Sequence, residues 1–223
     1  MEKGMKCEIC KGAKKVVRVV DGQPYAEDCP RCAGTFTRDE QLRKGIPARF
    51  SKSSFDNFEV TNSRLATAKG ACLEWLSNPS GWLILSGPPG VGKTHLMCSM
   101  AAKIKRCLYV SAVEMFALER KRIDQKDIQI KDFSTYTGVL FLDELGAGMG
   151  TDWERDLIHR LVAVRYDESL PTVFSTNFRF GTGSERSLER SGRILPHTAS
   201  RLLGECRVIE IDSDDRRRNV ATK

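Results

Sequence analysis

The chain has 223 residues, of which 40% are hydrophobic and 29% charged, and its formal net charge is +7. This length suits one domain of ordinary size plus a small module, and the composition is that of a soluble globular protein. No apolar run approaches the ~20 residues of a membrane span, and the first residues lack the apolar stretch of a signal peptide, so we expect a cytoplasmic protein without membrane contact. The positive charge fits a nucleic-acid partner and, equally, a merely basic soluble protein.

Two C-x-x-C pairs lie near the start of the chain, eighteen residues apart, and they comprise four cysteines: Cys7, Cys10, Cys29 and Cys32. This spacing is typical of a zinc site with four thiolate ligands, and the metal would supply folding free energy to a segment with little core. A redox dithiol is the rival interpretation, although neither pair has the βαβ context of that class. We predict a zinc-binding module over residues 1–35, with a strand at 16–20 and a turn at 21–24.

Residues 36–60 are predicted to form a linker. A short charged helix over 37–44 is interrupted by Gly45-Ile46-Pro47, and phenylalanines then recur in a polar stretch. We expect three of them to hold the linker onto the next domain: Phe50, Phe55 and Phe58. That domain is predicted to span 61–223 and to open with a helix over 61–78, where apolar residues recur near a 3.6 period.

Residues 87–94 read Gly-Pro-Pro-Gly-Val-Gly-Lys-Thr, a complete Walker A loop between an apolar run and a predicted helix. Glycines let the backbone N–H groups of such a loop point at phosphate oxygens, the lysine reaches the β- and γ-phosphates, and the hydroxyl holds Mg²⁺. A Gly/Pro turn that happens to carry Lys-Thr would not explain the match of every fixed position and both flanks. We predict nucleoside triphosphate binding by the loop and the histidine after it: Gly87, Pro88, Pro89, Gly90, Val91, Gly92, Lys93, Thr94 and His95. For the histidine, a packing or polar contact is expected rather than catalysis.

From Gly81 onward, apolar runs alternate with helical segments. The predicted strands are 82–86, 107–111, 138–143, 172–176 and 207–211. The predicted helices are 94–103, 113–121, 153–167 and 198–203. This alternation indicates an α/β fold, with a five-stranded parallel sheet flanked by helices on both faces.

The third of these strands ends in two carboxylates, Asp143 and Glu144, which together form a Walker B element. We predict that Asp143 holds Mg²⁺, through water, and that Glu144 polarises the attacking water. Ligands of parallel sheets bind at this end of the strands. The alternative is an Asp that caps a helix after an ordinary strand, which is less favoured beside a Walker A loop.

Together these motifs resemble the DnaC/DnaI-type replicative helicase loaders and the related IstB-type transposition ATPases, a branch of the AAA+ P-loop NTPases. The resemblance covers roughly residues 42–211. Besides the Walker motifs it includes the segments 45–50 and 54–58, Trp153-Glu154, Arg165-Tyr166 and the stretch 171–177. The branch has a short lid, and we expect a short or absent lid here, leaving open whether one of Arg216 to Arg218 supplies a sensor 2.

The resemblance implies roles for two further residues. Asn177 ends a strand and matches sensor 1, which orients water against the γ-phosphate; a turn asparagine is the alternative. Arg201 stands where AAA+ proteins carry the arginine finger, which reaches the γ-phosphate of a neighbouring subunit and so implies self-assembly in the ATP state. A solvated arginine is the alternative, and Arg190 and Arg193 are nearby competitors. Gly204 is expected to end the helix that carries Arg201.

The family implies an ATP-dependent loader that binds single-stranded DNA, hydrolyses ATP with Mg²⁺ and delivers a hexameric replicative helicase during DNA replication, in a bacterium or a phage. In DnaI-type members a small zinc-binding domain holds the N-terminal position, which fits the cysteine module. Two alternatives remain. The first is an IstB-like ATPase that regulates a transposase on double-stranded DNA, against which the cysteine module argues. The second is a zinc-dependent DNA-binding module with an inactive ATPase core, against which Asp143 and Glu144 argue.

Overall fold

The computed structural model describes residues 9, 11, 15–20, 23–28, 44–124, 132–179, 187–188, 190–213 and 215. The four cysteines of the predicted zinc module lie outside the described residues, as do Arg216 to Arg218 and all but the last residue of the helix predicted over 37–44. The predictions about zinc, sensor 2 and that helix therefore stay predictions.

An antiparallel hairpin lies between the two cysteine pairs in the sequence. Strand β1 (Lys15–Val20) pairs with β2 (Gln23–Asp28) in a register that places Val20 opposite Gln23 and Lys15 opposite Asp28. The strand predicted at 16–20 is confirmed, but the turn predicted at 21–24 is wrong in its second half. The Asp-Gly pair at 21–22 has the composition of a two-residue hairpin connection, so the chain is already extended at residue 23.

The larger of the two described sheets is parallel and has five strands, which confirms the predicted α/β fold. Its strands are β3 (Trp82–Ser86), β4 (Cys107–Ser111), β5 (Val139–Asp143), β6 (Thr172–Thr176) and β7 (Cys206–Glu210). They lie in the order β4-β5-β6-β3-β7, and every neighbouring pair is parallel. This order brings the end of β3 beside the end of β6 and places β5 next to both β4 and β6.

Five α-helices accompany the sheet within the described ranges: α1 (Ser63–Ser77), α2 (Lys93–Lys103), α3 (Ala112–Asp124), α4 (Asp152–Asp167) and α5 (Pro196–Glu205). Helix α4 begins with a capping box, in which Thr151 and Glu154 satisfy each other's backbone N–H groups. The expectation that Gly204 ends the last helix is wrong. Helix α5 continues through Gly204 to Glu205, because the chain enters β7 at Cys206 in an extended conformation and no left-handed cap is formed.

The hydrophobic core lies on both faces of the five-stranded sheet, because successive strand side chains point to opposite faces. Leu83 and Phe141 pack on one face with side chains of α1 and α2. Ile84 and Phe174 pack on the other face with side chains of α3, α4 and α5. The central strands β3, β5 and β6 are thus buried on both faces, whereas the edge strand β7 is partly exposed.

Residues 44–60, here called the N-terminal strap, pack on this domain. Ile46, Phe55 and Phe58 are buried in the core beside α1 and α2, and Phe50 is half-buried against it. The Lys44 ammonium donates to the carbonyl oxygens of Ala101 and Ile104, at 3.2 and 2.6 Å, near the end of α2. The described part of the predicted linker therefore packs on the domain that contains the five-stranded sheet, and we propose that this folding unit includes the strap.

Arg165 of α4 is fully buried, and its guanidinium donates only to neutral oxygens in the contacts described here. The acceptors are the hydroxyl of Thr172 and the carbonyl groups of Phe133, Tyr136, Gly138 and Pro171. Burial lowers the pKa of Arg165 to about 10, so the side chain remains charged at neutral pH. These bonds join α4 to the segments that lead into β5 and β6, which fixes the strands at the end opposite the candidate site.

Candidate functional site

A cavity of about 540 Å³ opens at the carboxyl end of the five-stranded sheet. Ligands of open parallel sheets bind at this position, because loops from several strands meet there. Its wall is formed by the strap, by the ends of β4, β5 and β6, and by the glycine-rich loop before α2. Nine of the predicted site residues line it together: Pro89, Gly90, Gly92, Lys93, Thr94, His95, Asp143, Glu144 and Asn177.

The glycine-rich loop, residues 87–92, connects β3 directly to α2. Gly92 caps the helix at a φ of +105°, a backbone conformation that strongly favours glycine. Lys93 is buried, and its ammonium donates to the carbonyl oxygens of Gly87 and Pro88 at 2.7 and 2.8 Å. The amino end of α2 faces the cavity with Lys93 beside it, an arrangement that binds phosphate groups.

The residues of the glycine-rich loop differ in their position relative to the cavity. Pro89, Gly90 and Gly92 line it. Gly87 and Pro88 instead offer their carbonyl groups to Lys93, and the side chain of Val91 is completely buried in the core. These contacts hold the loop in place, and the predicted binding of phosphate by its backbone N–H groups stays a prediction.

The Asp143 carboxylate is almost completely buried at the end of β5 and accepts four hydrogen bonds. Oδ2 accepts from the Thr94 hydroxyl at 2.9 Å and from the Tyr109 hydroxyl. Oδ1 accepts from the Ser175 hydroxyl and from the Glu144 N–H at 3.1 Å. Tyr109 and Ser175 were not predicted as site residues. The only sequence signal was their polar character near the ends of two apolar strands.

The donor chemistry around Asp143 fits Mg²⁺, which prefers oxygen ligands and is typically held by one or two protein groups together with phosphates and water. The Thr94 hydroxyl and the Asp143 carboxylate supply two such oxygens at the mouth of the cavity. Among the described residues, no group of three or more His, Cys, Asp or Glu side chains is placed to hold a metal. A metal here would thus take its remaining ligands from nucleotide and solvent.

Glu144 projects into the cavity from a strained backbone. Its φ is +59°, which costs a non-glycine residue on the order of 1–3 kcal/mol and is found at functional sites. The Glu144 N–H donates to the Ser175 hydroxyl at 2.9 Å, and the Leu145 N–H donates to the Ser175 carbonyl at 2.7 Å. Ser175 therefore ties the strained segment to β6, and the Glu144 carboxylate stays exposed to the cavity.

His95 makes the polar and packing contacts that the sequence predicted. Its Nε2 lies 3.0 Å from the Ser54 carbonyl and 3.0 Å from the Asn57 side-chain oxygen, and its ring packs edge-on against Phe58. Asn177 follows β6 directly and is exposed on the cavity wall. His95 thus joins the strap to α2, whereas Asn177 faces the space where a nucleotide would lie.

Arg201 lies apart from the cavity. It projects from α5, with its guanidinium carbon 5.6 Å from the centre of the Tyr166 ring, and it does not line the cavity. Arg193, an alternative candidate for the arginine finger, donates to the Gly148 carbonyl at 2.5 Å. Within one chain, therefore, the structure brings together Lys93, Asp143 and Glu144 but leaves Arg201 at a separate surface.

An AAA+ type P-loop fold is defined by the strand order, by the glycine-rich loop between β3 and α2, and by the acidic pair Asp143-Glu144 at the end of β5. Residues 45–223 match the protein family described as IstB-like ATP binding protein, and the chain belongs to this family. It is thus a member of a family of ATP-binding proteins.

Individual relatives fall into two groups. The chain is 27% identical over 154 residues to the replicative helicase loader DnaI of Bacillus subtilis (strain 168), a match that covers 60% of this chain and 47% of DnaI. It is 34% identical over 109 residues to the insertion sequence IS21 putative ATP-binding protein of Pseudomonas aeruginosa, covering 46% of this chain and 40% of that protein. The chain spans about half the length of the curated relatives it matches.

The crystal structure of the DnaC helicase loader has a similar fold, with a TM-score of 0.64 and 25% sequence identity. The match covers 74% of this chain and 99% of that one.

Among the described residues, none of the helices has the length and apolar character that a membrane-spanning helix requires.

Proposed function

We propose that this protein is an ATP-dependent helicase loader, which binds a replicative hexameric helicase and single-stranded DNA and delivers the helicase during DNA replication. The likeness to the DnaC helicase loader over 74% of the chain carries this choice. The similarity to DnaI over 60% of the chain supports it. The convergence of Lys93, Thr94, Asp143 and Glu144 in one cavity supports an active ATPase rather than an inactive scaffold.

We propose roles for the site residues that their positions support. The amino end of α2 binds the phosphates, and Lys93 moves from the carbonyl groups of Gly87 and Pro88 to the β- and γ-phosphates. Thr94 and Asp143 hold Mg²⁺, which when bound neutralises phosphate charge. Glu144 accepts a proton from the attacking water, and Asn177 orients that water.

Arg201 is proposed to act on the nucleotide of a neighbouring subunit, because it does not line the cavity of its own chain. We expect Arg201→Ala to leave nucleotide affinity within about twofold and to lower assembly-stimulated turnover by roughly 10³-fold. Mixing Arg201→Ala chains with Glu144→Gln chains should restore part of the turnover, since each lacks a different half of the shared site. Arg190→Ala and Arg193→Ala serve as matched controls. An equal loss in either control, or no recovery on mixing, would contradict the assignment.

Co-purification from the native host tests the choice of partner. A loader is expected to retain the replicative helicase when ATP is present, and Lys93→Ala, which should not bind ATP productively, serves as the control. Binding assays with single-stranded and double-stranded DNA accompany the experiment. Failure to retain any helicase would overturn the proposal.

The 34% identity to the IS21 putative ATP-binding protein supports a second candidate, an ATPase that regulates a transposase on double-stranded DNA. This candidate predicts retention of a transposase and preference for double-stranded DNA in the same experiments. The two functions share the same ATP site, so only the partner and the form of DNA distinguish them.

We also propose that Cys7, Cys10, Cys29 and Cys32 bind one zinc ion. The hairpin register supports this, because Lys15 and Asp28 are paired and the two cysteine pairs flank that end of the hairpin in the sequence. Metal analysis of the purified chain should find one zinc per chain. Its removal by a chelator should unfold the hairpin while the ATPase domain keeps its unfolding temperature. A metal-free chain with an intact hairpin would contradict this proposal.

A further inference from the structure

Tyr109 connects β4 to the acidic end of β5. Its ring is buried, and its hydroxyl donates to Oδ2 of Asp143. A phenol carries its proton at neutral pH, so the Tyr109 hydroxyl is the donor and the Asp143 carboxylate the acceptor. None of the proposed steps of ATP hydrolysis uses this side chain.

The four donors to Asp143 differ in what they can do when a metal is bound. Thr94, which donates to Oδ2, belongs to the proposed metal site itself. Ser175 and the Glu144 N–H act on the other oxygen, Oδ1. Among the hydrogen bonds described here, Tyr109 is thus the donor that restrains Oδ2 from outside the metal site.

The backbone of Tyr109 is held as firmly as its side chain. Its N–H donates to the Lys44 carbonyl at 2.7 Å. Gly45 has a φ of +89° and approaches so closely that a Cβ atom there would lie 2.1 Å from the Tyr109 carbonyl oxygen. The hydroxyl therefore projects from a rigid ring on a fixed strand, which suits it to hold a carboxylate in one orientation.

We propose that Tyr109 is a positioning residue for the magnesium site, which fixes the Asp143 carboxylate in the orientation that binds the metal. The inference rests on the proposed ATPase function and refines its metal site. Loss of the hydroxyl leaves Oδ2 with one donor fewer and lets the carboxylate rotate away from Thr94. Binding that depends on the metal is weakened, whereas nucleotide binding without metal is unchanged.

The test is Tyr109→Phe in the full chain, which removes one oxygen atom and keeps the ring. A fluorescent ATP analogue is titrated in EDTA and then at increasing Mg²⁺. We expect the affinity in EDTA to stay within about twofold of the unmodified chain. The Mg²⁺ concentration that gives half of the maximal increase in nucleotide affinity should rise roughly tenfold. A factor of this size corresponds to the loss of one hydrogen bond to a charged group. Ser175→Ala, which removes a donor to Oδ1, should change this Mg²⁺ concentration as well.

Tyr136→Phe is the matched control, because Tyr136 is half-buried at the opposite end of β5. It should leave both affinities unchanged. Thermal unfolding of each variant separates a folding defect from a change at the site. An unchanged Mg²⁺ requirement in Tyr109→Phe, or an equal loss of affinity in EDTA, overturns the inference. If the unmodified chain binds no nucleotide under either condition, the proposed function itself has failed.

Discussion

Replacement of Lys93 by alanine is expected to abolish productive ATP binding. The Lys93 ammonium is buried at the amino end of α2, where its hydrogen bonds go to the carbonyl groups of Gly87 and Pro88. Phosphate oxygens would replace these neutral acceptors with charged ones, and each hydrogen bond to a charged group contributes about 1.5–3 kcal/mol. Losing two of them corresponds to an affinity at least about 100-fold lower.

Equilibrium binding of an ATP analogue to Lys93→Ala measures this effect. Lys103→Ala is the matched control, since Lys103 is the exposed last residue of the same helix. Its affinity should equal that of the unmodified chain. Unchanged ATP affinity in Lys93→Ala would refute the assignment of the glycine-rich loop.

The second large effect is expected for Glu144→Gln, which should bind ATP normally and hydrolyse it roughly 10²- to 10⁴-fold more slowly, the range that a general base contributes. The substitution keeps the size of the side chain. The strained backbone is held through the Glu144 N–H, which is untouched. A loss of turnover would thus result from the loss of the Glu144 carboxylate and not from a change in the backbone of the loop.

Single-turnover hydrolysis and ATP binding are measured on the same preparation. Glu114→Gln is the control, because Glu114 is a second exposed carboxylate on the wall of the same cavity. It should retain normal turnover. Wild-type hydrolysis by Glu144→Gln, or an equal loss in Glu114→Gln, would remove Glu144 from the mechanism.

Much of the fold could be predicted because a sheet buried on both faces requires continuous apolar runs. The strands at 82–86, 107–111 and 172–176 match their predicted ends, since polar residues, Gly or Pro flank each run. The meeting of the glycine-rich loop and Asp143 could also be predicted, because both follow the carboxyl ends of parallel strands.

Contacts that depend on the order of strands in space could not be predicted. Tyr109 and Ser175 reach Asp143 only because β4 and β6 lie on either side of β5, and the alternation of strands and helices does not determine that order. Arg165 belongs to the family resemblance, but no structural role was predicted for it. Its acceptors come from segments distant in sequence, so its burial was not visible in the local pattern.

The strap has a consequence for the assembly state of the chain. β4 is an edge strand, and an edge strand with open N–H groups is a template for pairing with another molecule. The Lys44 carbonyl accepts a hydrogen bond from the Tyr109 N–H, and Gly45 lies against the Tyr109 carbonyl. A shortened chain beginning at residue 61 would lose this protection along with three buried apolar side chains, Ile46, Phe55 and Phe58. We expect such a chain to aggregate through pairing of β4 with another molecule. A chain that keeps Lys44 and Gly45 should not aggregate in this way.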